Sequence, residues 1–257
     1  MREELSADLL WQEGIFETMR SEKKKIVAFE EHLSRLFESA HSMNLPLGYS
    51  RRSLQDLLEK EVASRPYSDA YVRIAFVRDG KSSRLFLIVK EAKRYPSSFY
   101  AKGVSVRTSA TRRNAVSAVD AQLKAKEFLN GILATLDELS SSEEAFEEIY
   151  LDAQGYVTEG RISNIFLVKE GALLTPPPFL GVLRGITRDQ VMHEAETIGL
   201  TVRETPLTRF NLYGAEEVFL TNTSMGIMPV VSVDRRVIGG GRVGPVTKRL
   251  RGFLKHA

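Results

Sequence analysis

The chain reads as a mixed α/β protein in two parts: a small α+β N-terminal domain over residues 1–110 and a larger C-terminal domain over residues 121–257, joined by a linker at 111–120. Three observations predict this. In the first part helices alternate with strands. In the second, strands near 149, 163, 172, 202, 217 and 229 follow one another with few helices between them, which suits a mixed, partly closed sheet better than a doubly wound one. Between the two lies S-A-T-R-R-N-A-V-S-A-V-D, polar, basic and without periodicity.

Within the first part, E-E-H-L-S-R-L-F-E-S-A and the segment after Ser50 place apolar residues at helical spacing, predicting helices over about 31–43 and 51–65. Strands are expected at 71–77, 85–89 and 104–108 from their β-branched and aromatic content. After the linker, Phe128, Leu129, Ile132, Leu133 and Leu136 mark an amphipathic helix over 125–139, with Lys124 at its start. Strands at 149–151 and 163–168 flank a Gln154–Gly155 turn, and Glu159 falls in a T-E-G break between them. A proline-rich connection, T-P-P-P-F-L-G-V-L, leads to a helix over about 188–198 with Thr187 as its N-cap. A strand at 217–220 precedes Thr223 and Ser224, and a final helix covers 246–255.

Composition narrows the class. With 43% hydrophobic and 27% charged residues the 257-residue chain has the balance of a soluble globular protein. No stretch approaches the roughly 18 apolar residues of a membrane helix, and the start has no signal-peptide pattern, so a cytoplasmic protein without membrane contact is expected. The absence of cysteine excludes disulfides and thiolate metal sites, and His32, His41, His193 and His256 show no ligand spacing. A net charge of +3 allows a polyanion or nucleic-acid binder, but the basic runs are short and interleaved with acids, and no stacking-aromatic motif accompanies them.

Three motifs carry the chemistry: Y-V-T-E-G-R-I-S-N-I-F around Glu159, L-R-G-I-T-R around Thr187, and F-L-T-N-T-S around Thr223. Together with Lys124 they supply what pyridoxal 5'-phosphate (PLP) needs: an amine for a Schiff base, a carboxylate for the pyridinium nitrogen, and donors for a phosphate at a helix start. Each has a plainer reading. A lysine is ordinarily a solvated surface residue, Glu159 could be an exposed loop acid, Thr187 could merely cap a helix, and Thr223 and Ser224 could merely end a strand. Helical periodicity does not separate Lys124 from Lys126, since both flank the apolar stripe.

With these motifs in order, and with G-I-F-E-T-M-R at Gly14, E-H-L-S-R-L at Glu31 and G-P-V-T-K-R-L at Gly244, the chain resembles the fold-type IV PLP enzymes. These are the class IV aminotransferase family, which includes branched-chain and D-amino-acid aminotransferases and aminodeoxychorismate lyases. The resemblance implies Lys124, the first lysine of L-K-A-K-E-F-L, as the Schiff-base lysine and general base, and Glu159 at the pyridine nitrogen. It also implies Arg35 with Thr223 and the amides of Ile186 and Thr187 at the phosphate, and Leu183 against the ring. Ordinary i,i+4 pairing with helix glutamates is the alternative for Arg35. Substrate contacts are expected from Phe16, Thr18 and Arg73 of the small domain, whose Arg20 and Arg78 also face the site in relatives, and from Ser224 of the large one. A solvent-facing strand edge is the alternative for Arg73. The implied reaction moves an amino group between an amino acid and a 2-keto acid, in a homodimer.

The sequence departs from the family in places. The segment before Gly14 is shorter than usual, Glu127 stands where many members have asparagine, Phe128 lacks the hydroxyl that branched-chain enzymes place near the cofactor's phenolic oxygen, and Thr18 is shared with lyase-like members. Aminodeoxychorismate lyase, which releases pyruvate and 4-aminobenzoate, is therefore the second expectation.

Overall fold

The structure is a computed structural model that describes residues 13–113, Lys124 and residues 145–254. The described residues fall into two compact units, one of 13–93 with Lys124 and one of 94–113 with 145–254.

In the first unit, β1 (Gly14–Glu22), β2 (Lys25–Ile26), β3 (Ala70–Asp79) and β4 (Ser82–Glu91) form an antiparallel sheet in the order β2-β1-β3-β4. Helices α1 (Phe29–Ser42) and α2 (Arg51–Ser64) match the expected ones to within a few residues. The Ser50 side chain accepts from the Ser53 amide at the start of α2, and Pro66 explains its end, because the residue before a proline is driven into extended backbone, as Arg65 is (φ −80°, ψ 150°). Leu33, Leu36, Leu54 and Leu58 pack with Ile15, Met19, Val72 and Ile74 in one apolar cluster. Each such buried side chain contributes about 1.5–3 kcal/mol of transfer free energy. The sequence reading assigned no strand to β1, yet its pleat decides the chemistry. Ile15, Glu17, Met19 and Ser21 are buried, while Phe16, Thr18 and Arg20 alternate with them on the opposite face.

The second unit is built on a mixed sheet in the order β10-β9-β8-β12-β13-β5-β6-β7-β11, with β14 (Arg236–Val237) on β13. Its strands are β5 (Val104–Arg112), β6 (Glu148–Leu151), β7 (Tyr156–Gly160), β8 (Asn164–Lys169), β9 (Ala172–Thr175), β10 (Thr201–Glu204), β11 (Leu207–Thr208), β12 (Glu217–Asn222) and β13 (Gly226–Val233). β5 runs parallel to both β13 and β6, and β10 parallel to β9; the other pairs are antiparallel. Helices α3 (Ser97–Lys102), α4 (Ile186–Thr197), α5 (Arg209–Tyr213) and α6 (Pro245–Leu254) complete it.

Several expectations shift here. The division between units falls after residue 93 rather than 110, because β5 draws its hydrogen bonds from β6 and β13. Thr111 and Arg112, assigned to the linker, are strand residues, and Lys124 groups with the first unit. Residues 114–120, Lys126, Glu127, Phe128 and the helix expected at 125–139 lie outside the described residues. Glu159 is not in a break. It is a buried residue of β7, whose Tyr156–Thr158 are good strand formers, and the strand was obscured by the Glu–Gly pair, both poor ones. Thr187 is the second residue of α4 and Gly185 its N-cap.

A carboxyl group holds the turn after β7. Glu147 is 4% exposed and accepts from the Ile162 amide (2.7 Å) and the Ser163 hydroxyl (2.9 Å). A Cβ at Gly160 would lie 2.5 Å from its Oε1, so only glycine fits there without displacement. Burial outweighs these hydrogen bonds and pushes the Glu147 pKa up to about 7. The folded state thus keeps a proton that the unfolded chain has released, so stability falls as pH rises from the ordinary carboxylate range through about 7, and is level above it. Glu147→Gln should remove this dependence, worth on the order of 3 kcal/mol across the interval. Denaturant unfolding at pH 5, 6, 7 and 8 checks it: the variant's curve is expected to be flatter than the parent's, and parallel curves would contradict the assignment.

Candidate active site

In the first unit the chemistry gathers on Glu17. Its side chain is 1% exposed although it lies in the core-facing row of β1. Two residues one helical turn apart on α1 reach it. His32 Nδ1 donates to Oε2 (2.8 Å), while Arg35 donates from Nε to Oε1 (2.6 Å) and from Nη2 to Oε2 (2.8 Å), a bidentate clasp. Lys124 Nζ lies 3.6 Å from Oε2. Burial by itself would raise the Glu17 pKa, but the Lys124 charge and the donors His32 and Arg35 prevail and hold it well below the usual carboxylate range. Arg35 therefore pairs with Glu17 of β1.

Lys124 is set beside β1 by its backbone, whose carbonyl accepts from the Phe16 amide (3.0 Å). Burial lowers its pKa, Glu17 opposes this, and Arg35 and Arg73 add to the lowering, for a result of about 8. A usable fraction of the amine is then neutral near physiological pH, as a nucleophilic or proton-transferring lysine requires. Burial likewise lowers the pKa of His32, with Glu17 pulling the other way.

The Phe16 ring has two cations over it, Arg73 at 4.3 Å and Lys124 at 5.4 Å from the centroid. Arg73 lies on the inner strand β3 opposite Thr18, so the solvent-facing edge reading does not hold. Phe16 and Thr18 share the face of β1 away from Glu17. Of the two other arginines, Arg20 pairs with Glu22 (3.0 Å), and Arg78 bonds Glu13 (2.8 Å) and the Met43 carbonyl (2.8 Å).

The second unit builds a different constellation around Glu159. Its Oε1 meets Arg113 Nη2 at 2.8 Å, and its Oε2 accepts from the Leu183 amide (3.0 Å) and Asn164 Nδ2 (3.2 Å). Asn164 Nδ2 also donates to the Leu183 carbonyl (2.8 Å), which ties the approach to α4 onto β8. A Cβ at Gly185 would collide with Asn164 Oδ1, so the glycine lets the amide sit against the helix start. Among the described residues no side-chain cap closes the start of α4, whose N-cap is Gly185. The first amides of a helix have no intrahelical acceptor, and those of Ile186 and Thr187 are the expected anion donors.

Thr223 and Ser224 lie in the turn joining β12 to β13, closed by Asn222 Oδ1, which accepts from the Ser224 (2.9 Å) and Met225 (2.8 Å) amides. Two residues upstream, the Thr221 hydroxyl is buried without a hydrogen-bond partner among the described residues. A buried orphan hydroxyl costs about 1–3 kcal/mol unless something satisfies it. Beside an uncapped helix start and a fixed carboxylate, it suits a ligand that brings acceptors of its own, as PLP does. The donor and acid set of this unit fits that cofactor's ring nitrogen and phosphate. Within the first unit, Lys124 has the lowered pKa that a Schiff-base amine needs.

Sequence reading named Lys124, Glu159 and Leu183 but not the residues that surround them here. Glu17 and His32 were inside quoted motifs, F-E-T and E-H-L, and the visible signal was an acid in an otherwise apolar row of a strand. Arg113 was hidden in the supposed linker, and Asn164 and Thr221 sat in motifs without a role.

Comparison with known proteins agrees with this chemistry. Residues 14–233 match the family described as amino-transferase class IV. A branched-chain-amino-acid aminotransferase of Pseudomonas aeruginosa is 33% identical over 253 residues, covering 93% of this chain and 81% of that one. The crystal structure of the Escherichia coli branched-chain amino acid aminotransferase superposes with a TM-score of 0.88 at 30% identity, over 95% of this chain and 84% of the other. The T.th. branched-chain amino acid aminotransferase, solved with pyridoxamine 5'-phosphate, superposes with a TM-score of 0.86 at 29% identity, over 95% and 84%. Family, fold and PLP chemistry thus coincide, and the chain belongs to the class IV aminotransferases.

Proposed function

We propose that this enzyme transfers the amino group of branched-chain amino acids to a 2-keto acid, with Lys124 as the residue that holds PLP and moves the substrate proton. The observation that carries the lysine assignment is its setting: an amine with its pKa brought down to about 8, tethered to β1 through its carbonyl and facing the buried Glu17. When bound, PLP supplies an electron sink for the pair left at the substrate Cα. The protein's part is then proton handling and orientation. Lys124 Nζ takes the proton from Cα and returns one to the product. Glu17 keeps that amine from losing its proton affinity altogether. Glu159, fixed by Arg113, Asn164 and Leu183, is the acid for the pyridine nitrogen.

For the phosphate we assign the Ile186 and Thr187 amides and Thr223. Arg35 is assigned to it on the motif alone, since Glu17 already engages its Nε and Nη2. Leu183 packs on the ring. Arg73 takes the substrate carboxylate, for which a planar guanidinium is suited, while Phe16, Thr18 and Ser224 bound the side-chain space. The branched-chain assignment is supported by the names of the relatives and by the apolar Phe16. A cytoplasmic homodimer is the setting we propose.

The experiment is single-turnover mixing of the PLP-loaded enzyme with L-leucine, L-valine, L-isoleucine and their D-forms. Conversion of the cofactor spectrum to the pyridoxamine form by the L-branched set supports the reading; conversion by D-amino acids alone contradicts it. Thr18, on the Phe16 face of β1, favours a second reading, and pyruvate release from aminodeoxychorismate without that conversion would establish the lyase. Lys124→Ala should abolish the protein-bound cofactor absorbance while Lys126→Ala retains it; the reverse pattern reassigns the lysine. Glu17→Gln should lower the Lys124 pKa below about 8, because the carboxylate favours the ammonium form. The pH profile for PLP capture should then move to lower pH, read as the rate of the absorbance change; an unchanged or upward-shifted profile would refute the coupling.

A further inference from the structure

The ladder between β8 and β12 ends at the pair Asn164 and Thr221. Beyond it, both chains turn: β8 is preceded by Arg161–Ser163, and β12 runs through Asn222 into the turn that carries Thr223 and Ser224. One side chain spans the gap. Asn222 Nδ2 donates to the Ile162 carbonyl (3.2 Å), adding a rung beyond the last backbone pair, while its Oδ1 accepts the Ser224 and Met225 amides.

The far end of this tether is firmly held. Glu147 accepts the Ile162 amide and the Ser163 hydroxyl, the Gly160 amide donates to the Ser163 carbonyl (2.7 Å), and the Arg161 amide donates to the Glu148 carbonyl (3.0 Å). Glu148 is fixed in turn by Arg107 and by the Ser109 hydroxyl (3.0 Å). The near end is a hairpin turn anchored at buried Met225, whose carbonyl accepts from the Tyr100 hydroxyl (2.9 Å), while its exposed Ser224 is held through the Asn222 amide. A turn held by a few local bonds samples more geometries than one fastened to a rigid neighbour, and anion donors lose affinity when their geometry spreads.

We propose that Asn222 is a positioning residue: by fastening the Thr223 turn to the Ile162 carbonyl, it presets that turn for the cofactor phosphate. This rests on the assignment of Thr223 to the phosphate given above. An amide serves here where other side chains would not. It combines an acceptor for two backbone amides with a donor for the carbonyl, which aspartate lacks and serine cannot extend far enough to supply.

The test compares binding of PLP and of pyridoxal, which lacks the phosphate, to the parent protein, Asn222→Ser and Asn222→Ala, by absorbance titration with melting temperature alongside. Asn222→Ser retains a turn-closing acceptor, adds no charge and loses the tether. It should weaken PLP about tenfold while pyridoxal changes by less than about twofold, the loss of one hydrogen bond read through position. Asn222→Ala, which also opens the turn, should lose at least as much PLP affinity and keep the same pyridoxal affinity. Equal weakening of both ligands, or PLP binding unchanged in both variants, overturns the inference; should Asn222→Ser not fold, Asn222→Ala decides it by the same ratio. Absence of PLP binding in the parent protein instead overturns the reading of function, and this inference with it.

Discussion

A carboxylate buried in the hydrophobic row of a strand organises the first unit. Placing Glu17 between Ile15 and Met19 would cost several kcal/mol for an unpaired charge, and only the convergence of His32, Arg35 and Lys124 makes it tolerable. The cost fixes the surroundings in return. α1 must present residues 32 and 35 on one face, β1 must keep its register with β3, and the lysine must sit at the strand's free side. Removing any one partner leaves the others with an uncompensated charge, so the cluster behaves as a unit and single substitutions in it will not add.

The second unit solves a related problem with neutral groups alongside one cation. Glu159 is surrounded by a guanidinium, a backbone amide and a side-chain amide, each supplied by a different segment. Asn164 and Gly185 are complementary: the amide needs the room that the missing Cβ leaves, and the helix start needs the amide to hold its approach. The acid is thereby oriented before any ligand arrives, and such preorganisation reduces what binding must spend on ordering.

The sequence made much of this legible. Helical periodicity located α1 and α2, and strand composition located β3, β4 and β8, because those signals depend on local burial. The motifs around Glu159, Thr187 and Thr223 could be read as cofactor chemistry since each needs a particular residue type. What escaped depended on partners distant in the chain. β1 gave no assigned strand because its buried row contains Glu17, a residue explained only by α1. Arg113 looked like linker because its partner lies in β7, 46 residues away. β7 was masked by Glu159 itself, a poor strand former whose partners Arg113 and Leu183 come from distant segments. Domain limits misled for the same reason, as β5 is defined by parallel neighbours that follow it in sequence.

The stacking of Arg73 and Lys124 over one Phe16 ring has an electrostatic consequence. Arg35 and protonated Lys124 meet the carboxylate of Glu17, while Arg73 lies over Phe16, so the three cations outnumber the one acid among them. The π face eases the crowding of two cations without neutralising either. Low-polarity walls next to such an excess focus the field outward, and approaching anions feel it at distances up to about a Debye length, roughly 8 Å at physiological ionic strength. An excess of positive charge of this kind favours the approach of anions before any contact is made.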